Sequence, residues 1–152
     1  MSVIPEPVMG TLRWLCGVLD REKIPFQVVG DIAMLLEGAS SAVNTVELFV
    51  RADSLPQLMR LVQDRITEYP WRRCDEQWDL IMMELINEDV LVSIGISDGA
   101  RTRVNTSAEW QDVTINFQAS KVVFLKGLKI PIASDAELVL GARSPLPREE
   151  PS

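Results

Sequence analysis

The order of helical and β-type segments is the sequence feature that most constrains this fold. Near the N-terminus apolar residues recur at the spacing of one helix face, and short β-branched segments with alternating side chains follow. The order of the segments predicts an α/β (α+β) fold, in which a mixed β-sheet packs against helices. The predicted elements are helix 8–19, strand 26–29, helix 31–37, strand 45–51, helix 54–66 closed by Pro70, strands 71–73, 80–86, 90–96, 121–125 and 128–132, and a helix after residue 134.

Cap and turn residues mark the ends of several elements. Asp31 follows Gly30 and is predicted as the N-cap of the short helix. Lys126-Gly127 predicts a tight hairpin turn, and Ser134 to Glu137 matches a capping box. Residues 110–117 fit either a helix or a strand. The length of 152 residues predicts one domain, over residues 1–143, followed by a disordered, proline-rich tail over residues 144–152.

Composition excludes several classes of site. The chain has no histidine and two cysteines far apart, which excludes a Cys/His zinc site and a histidine general base, and no disulfide is expected between Cys16 and Cys74. The net charge of −7 disfavours nucleic acid, and the short arginine groups 72–73 and 101–103 are interpreted as solvated surface. No apolar stretch reaches about 18 residues and no secretory signal is present, which predicts a cytoplasmic protein without a membrane span.

Residues 26–38 and 43–50 resemble the minimal, polymerase-β-like nucleotidyltransferases. In that family a helix precedes a strand ending in Gly-Gly or Gly-Ser, a short helix follows, and a loop with Arg and Thr leads to a strand bearing Asp-x-Asp. Residues 127–138 are similar to the family's C-terminal segment, in which a strand precedes a capped helix. The resemblance covers residues 8–143 by order of elements and implies a nucleotidyltransferase-like fold.

The residues that carry the family's chemistry are altered in this chain. Nucleotidyl transfer needs a divalent cation, which two aspartates on one strand face can hold, and a glycine turn that approaches phosphate. Here Asp31 stands at the second glycine, Ser41 at the arginine, Thr45-Val46-Glu47 at Asp-x-Asp, and Ser93 near the family's later aspartate. The resemblance therefore implies a degenerate member with no metal site and no cofactor. Glu47 is the residual catalytic candidate, and the residual anion-binding candidates are Gly30, Asp31, Ser40 and Ser41.

Three functions follow from this comparison of residues. The first is a non-catalytic nucleotidyltransferase-like domain that binds a protein partner or itself, with the acidic charge favouring a basic partner. The second is an active or weakly active, magnesium-dependent nucleotidyltransferase that uses Glu47 with a displaced acid, Asp31 or Asp53. The third is a small-ligand module with a cleft between the second strand and the 80–96 hairpin, lined by Thr45, Glu47, Ser93 and Trp78.

Overall fold

The computed structural model describes residues 4–39, 42–133 and 138–140. Within these ranges the chain forms α-helices, β-strands and short 3-10 turns at 52–54, 63–65 and 117–119. The helices are α1 (Glu6–Arg21), α2 (Gly30–Leu36) and α3 (Leu55–Leu61). The strands are β1 (Phe26–Val29), β2 (Val46–Val50), β3 (Ile66–Cys74), β4 (Trp78–Asn87), β5 (Val90–Ile96), β6 (Arg101–Thr102), β7 (Gln111–Asp112), β8 (Lys121–Leu125) and β9 (Leu128–Ile132).

The described strands form one mixed sheet in the order β7-β6-β4-β5-β2-β1-β9-β8, and β3 pairs with β4 outside this path. The β2–β5 and β1–β9 pairs are parallel, whereas the other pairs are antiparallel. The predicted α/β class and mixed sheet are confirmed.

The main core lies between the helices and one face of the sheet. Alternation along β2 turns Val46, Leu48 and Val50 toward this face, as predicted, and all three are fully buried. The apolar stripe of α1, which includes Leu12 and Leu15, packs against them. Complete burial of one such side chain stabilises the fold by about 1.5–3 kcal/mol.

A second, smaller core covers the opposite face of the sheet. It joins Phe49 of β2 to Trp78 of β4, whose ring centroids are 6.2 Å apart with planes tilted by 45°. Leu140, from the last described segment of the chain, is completely buried in this cluster. The part of the non-helical face around Phe49 and Trp78 is therefore covered by the chain itself.

Two predicted boundaries around α3 are wrong. The helix ends at Leu61 rather than at residue 66, and β3 spans nine residues instead of the predicted 71–73. Pro70 does not close a helix but lies within β3, where the pairing register with β4 shifts between Glu68 and Trp71. Proline is tolerated at this point because β3 pairs on one side only and the register shift relieves its missing N–H.

Three further predictions concern helix caps and turns. The N-cap position of α2 is occupied by Val29, so the prediction that Asp31 caps the helix is wrong; Asp31 lies in the first turn instead. The predicted hairpin turn is confirmed, since Lys126 and Gly127 both have positive φ (+50° and +81°), as a type I′ turn requires. Residues 110–117, which fitted either helix or strand, contain the short strand β7.

The C-terminal predictions are only partly within the described residues. The capping box at residues 134–137 and the tail at 144–152 lie outside them, so the domain limits 1–143 stay a prediction. Residues 138–140 are described and are not helical, so the helix expected there is wrong. Within the described residues no helix is both long and apolar enough to cross a membrane.

The two cysteines are free thiols, as expected. Cys16 is buried in the apolar stripe of α1, whereas Cys74 is exposed at the end of β3. Burial, together with the nearby charge of Asp20, raises the pKa of the Cys16 thiol to about 12. A thiol with so high a pKa is unreactive at neutral pH, which makes Cys16 a packing residue.

Candidate functional site

Gly30 forms the junction between β1 and α2 and is required by its surroundings. Its φ of +75° lies in the left-handed region, which glycine adopts without a steric penalty. A Cβ atom at this position would also lie 2.3 Å from Oε1 of Glu47. The glycine therefore allows the Glu47 carboxylate to pack directly against the backbone.

Glu47 lies at the centre of the sheet on the non-helical face. It pairs with Val29 of β1 on one side and with Ser93 of β5 on the other. Only 1% of its surface is exposed. The backbone N–H of Leu140 donates a hydrogen bond of 2.8 Å to its Oε1, so the carboxylate is held by the chain's own backbone.

Residues 138–140, here called the covering segment, lie over Glu47. Their three carbonyls accept hydrogen bonds, in order, from Gly30 N–H at 2.7 Å, Trp78 Nε1–H at 3.0 Å and Arg73 Nη1–H at 2.6 Å. Such bonds contribute about 0.5–1.5 kcal/mol each, and more where the donor is charged. These contacts link the covering segment to β3, β4 and the β1–α2 junction, all distant in sequence.

Close packing reinforces the covering segment. A Cβ atom at Gly95 of β5 would lie 2.7 Å from the Phe49 ring and 3.1 Å from Cδ1 of Leu140. Leu140 thus fills the space that the absent Gly95 side chain leaves.

A row of polar residues crosses the sheet beside Glu47. Ser93 pairs with Glu84 of β4, and Glu84 in turn pairs with Glu68 of β3. Partial burial, followed by repulsion from Glu68, raises the pKa of Glu84. Ser93, near the position of the family's later aspartate, separates Glu84 from Glu47.

The described residues around Glu47 do not by themselves make up a magnesium site. Magnesium prefers several oxygen ligands in octahedral geometry and keeps water in its shell. Among the described residues, no three His, Cys, Asp or Glu side chains lie close enough together to hold a metal ion. Glu47 is covered and bonded to Leu140 N–H, and its strand neighbours are Val29 and Ser93, neither of which is acidic.

The displaced acids lie in different places. Asp31 is half-buried in the first turn of α2, next to Gly30. Asp53 follows the opposite end of β2 and forms an exposed ion pair with Arg51 at 2.6 Å. Since a strand rises about 3.3 Å per residue, β2 separates Asp53 from Glu47 by more than 10 Å. Ser40 and Ser41 lie outside the described residues.

No gap separates β2 from the 80–96 hairpin within the plane of the sheet. β2 and β5 pair directly in parallel, with Glu47 opposite Ser93, and this leaves no space between them. Thr45 is half-buried before β2, and Trp78 is buried with its indole N–H bonded to the covering segment. A ligand cleft lined by these residues stays a prediction.

Arg72 and Arg101, one from each arginine group predicted to be solvated surface, keep much of their side chains exposed and both bind Asp79 on the other face of the sheet. Arg72 donates two hydrogen bonds of 2.8 and 3.0 Å to its carboxylate, and Arg101 donates a third. The hydrogen bonds from Arg72 and then Arg101 hold the pKa of Asp79 well below its ordinary value. Arg101 and Arg103 also lie over the Trp110 ring, 5.2 and 4.3 Å from its centre.

Sequence reasoning missed the covering segment and Arg73. Leu140 and Glu47 are 93 positions apart, and a backbone N–H leaves no signature in the identity of its residue. The expectation of a helix after Ser134 also pointed away from an extended segment with free backbone groups. A single sequence carries no signal that would have revealed this contact.

Comparisons with known proteins support the fold. No family model matches the chain, and no curated protein matches it either. Its structure is similar to that of a candidate nucleotidyltransferase from Thermotoga maritima, at a TM-score of 0.74, with 21% identity over 88% of this chain and 81% of that one. It is also similar to the lincosamide antibiotic adenylyltransferase LnuA solved with lincomycin, at 0.55, with 15% identity over 90% and 85% of the two chains.

A third similar structure is ANT(2″)-Ia in complex with adenylyl-2″-tobramycin, at a TM-score of 0.52, with 11% identity over 88% of this chain and 72% of that one. At identities this low the likeness concerns the fold alone. The chain therefore has a nucleotidyltransferase-like fold.

Proposed function

We propose that this chain is a non-catalytic nucleotidyltransferase-like domain that acts by binding a protein, either a partner or a second copy. The observation that carries the proposal is the covered state of Glu47. Its carboxylate is 1% exposed and accepts the Leu140 N–H at 2.8 Å. Fold alone does not imply a reaction, since function depends on the groups in the site.

Uncovering Glu47 has an energetic cost. The covering segment must leave, which breaks the Leu140 bond to Glu47 and the bonds from Gly30, Trp78 and Arg73. It also exposes the Leu140 side chain, whose burial is worth about 1.5–3 kcal/mol. From the described residues, a bound cation would then find one carboxylate with Ser93 beside it. Both considerations favour a structural role for Glu47 over a catalytic one.

The proposal is tested by titration calorimetry of the full chain with magnesium and each nucleoside triphosphate. We expect no Kd tighter than about 1 mM, either in the wild type or in Glu47→Gln. Transfer assays with the same nucleotides should show no turnover above buffer. Magnesium-dependent binding below about 1 mM that Glu47→Gln abolishes would contradict the proposal and favour the active alternative.

Light scattering over a range of concentrations separates the two kinds of protein binding. A mass that rises with concentration identifies a second copy as the partner. A constant monomer mass leaves a different protein as the partner.

A further inference from the structure

Strand β8 forms a free edge of the sheet. It is the last strand in the sheet order and, within the described residues, pairs only with β9. The two-residue turn makes Leu125 and Leu128 a hydrogen-bonded pair, so hydrogen-bonded and non-bonded pairs alternate from there. Val122 and Phe124 fall at non-bonded pairs, and their N–H and C=O groups therefore point outward from the sheet.

The same two residues expose apolar side chains. Phe124 is 71% exposed and Val122 is 40% exposed. They share the non-helical face with Pro131 and Lys129, their partners on β9. A cavity of about 260 Å³ opens on this side, with Val122, Lys129 and Pro131 among its lining residues and Asp20 as its acidic one. The edge thus combines unpaired backbone groups, exposed apolar surface and a cavity.

The hairpin of β8 and β9 has a charge opposite to that of the chain. Residues 121–132 carry three of the four lysines and no acidic residue, in a chain of net charge −7. Lys121 pairs with Glu37 at 2.7 Å and Lys126 with Glu6 at 3.8 Å. Lys129 forms no ion pair within the described residues, and it lies opposite Phe124.

This charge argues against self-pairing of the strand. Two copies of β8 lying side by side would bring the lysines of both hairpins together, and like charges on adjacent strands are destabilising. Lysines also protect edge strands from unwanted pairing. Here Lys121 and Lys126 flank the edge, whereas its centre presents Val122 and Phe124. Lys129, which forms no ion pair within the described residues, disfavours a basic strand here and favours an acidic one.

We propose that the free edge of β8 binds an extended, acidic segment of a partner protein, which adds to the sheet as a further strand. The inference rests on the proposed function and names its surface and partner. Main-chain hydrogen bonds between the partner strand and Val122 and Phe124 would provide the binding affinity. Apolar side chains at alternate positions would contact Phe124 and the cavity beside Val122, and the acidic ones would lie near the lysines.

The test uses the full chain and a short synthetic peptide that alternates glutamate with valine. A second peptide alternates lysine with valine. Titration is followed by NMR amide shifts and by hydrogen exchange at Val122 and Phe124. We expect the acidic peptide to bind and to slow exchange at both amides, and the basic peptide to bind at least about tenfold more weakly.

Two variants locate the interaction. Phe124→Pro removes an outward N–H without removing a bond to β9 and should abolish peptide binding. Phe124→Ser should weaken binding about tenfold, and it keeps the test decisive if the proline variant does not fold. The matched control is Val104→Ser, which alters another exposed apolar side chain, 80% exposed, in the loop between β6 and β7. It should leave binding unchanged.

Three outcomes would overturn the inference. The acidic peptide does not bind, both peptides bind equally, or Val122 and Phe124 are protected without peptide while the mass doubles, in which case the occupant is a second copy. None of these results changes the nucleotide titrations. Turnover of a nucleotide, conversely, would contradict the proposed function whatever the peptides do.

Discussion

Glu47 and Asp79 are the two buried carboxylates among the described residues, and their described contacts differ. Asp79 accepts hydrogen bonds from two guanidinium groups, those of Arg72 and Arg101. Glu47 accepts the backbone N–H of Leu140 and packs against Gly30. The described contacts of Asp79 are thus with two cations, whereas those of Glu47 include the backbone of the covering segment.

The difference shows what each carboxylate depends on. Asp79 is held by charged groups, so its contribution to folding stability should respond to pH and salt. Glu47 is closely packed against Gly30, so its environment should respond to changes in volume and backbone conformation. The position that the family resemblance singles out is therefore the packed one, which is consistent with a structural role.

The largest effect is expected from Gly30→Ala. The new Cβ would lie 2.3 Å from Glu47 Oε1, and φ at this residue is +75°. Left-handed backbone costs a non-glycine residue about 1–2 kcal/mol, and displacement of the carboxylate adds to it. We expect a loss of about 3 kcal/mol in the free energy of unfolding, measured by urea denaturation.

Gly10→Ala is the matched control for that substitution. Gly10 lies in α1 and is exposed, and a Cβ atom there would meet no neighbouring group within 4 Å. Alanine should stabilise the helix by about 0.5–1 kcal/mol. Equal effects of the two substitutions would contradict the packed environment of Glu47.

Leu140→Ala is expected to have the second largest effect. Leu140 is completely buried against Phe49 and Gly95, and truncation of a buried leucine costs about 2–5 kcal/mol. A segment that can relax gives the lower part of this range, about 2–3 kcal/mol. The emission of Trp78, whose indole N–H bonds to the covering segment, should shift at the same time. Ile86→Ala, at a site 43% exposed, should change neither quantity appreciably.

Asp79→Asn is expected to have the smallest effect at neutral pH and the most distinctive pH dependence. The folded pKa of Asp79 lies below its unfolded value of about 3.9. Its ionised form therefore stabilises the fold above about pH 4, and this contribution is lost as the pH falls toward the folded pKa. The stability difference between wild type and variant should shrink in acid, and a constant difference from pH 7 to pH 2 would refute this account.

Glu84 provides a control, because its pKa shift is opposite in direction to that of Asp79. Its folded pKa is raised, so its ionisation costs stability as the pH rises through that value. Glu84→Gln should therefore be more stable than wild type at neutral pH and lose this advantage in acid.

Local patterns predicted much of the fold. Alternation in β2, the helical stripe of α1 and the Lys126-Gly127 turn each involve neighbours within a few residues, and all are confirmed. The prediction that Pro70 closes a helix was wrong because a strand tolerates proline when the proline side is unpaired. Which side of β3 is paired is decided by tertiary structure, not by local sequence. The predicted end of α3 at residue 66 was also wrong, because the apolar residues after Leu61 fit either a helix or a strand.

Less of the candidate site than of the fold could be predicted from the sequence. The resemblance identified Gly30 and Glu47, and the structure brings them together. It could not reveal that Leu140 covers them, because backbone groups from a distant segment supply the contact. The direct pairing of β2 with β5 could not be predicted either, because it joins segments that are not consecutive in the chain.

The parallel pairing of β1 with β9 has a consequence for synthesis. Val28 and Ile132 are partners roughly a hundred residues apart, and both are fully buried. At translation rates of about 5–20 residues per second, β1 waits some 5–20 s for its neighbour to emerge from the ribosome. During that interval β1 can pair with β2 but not yet with β9.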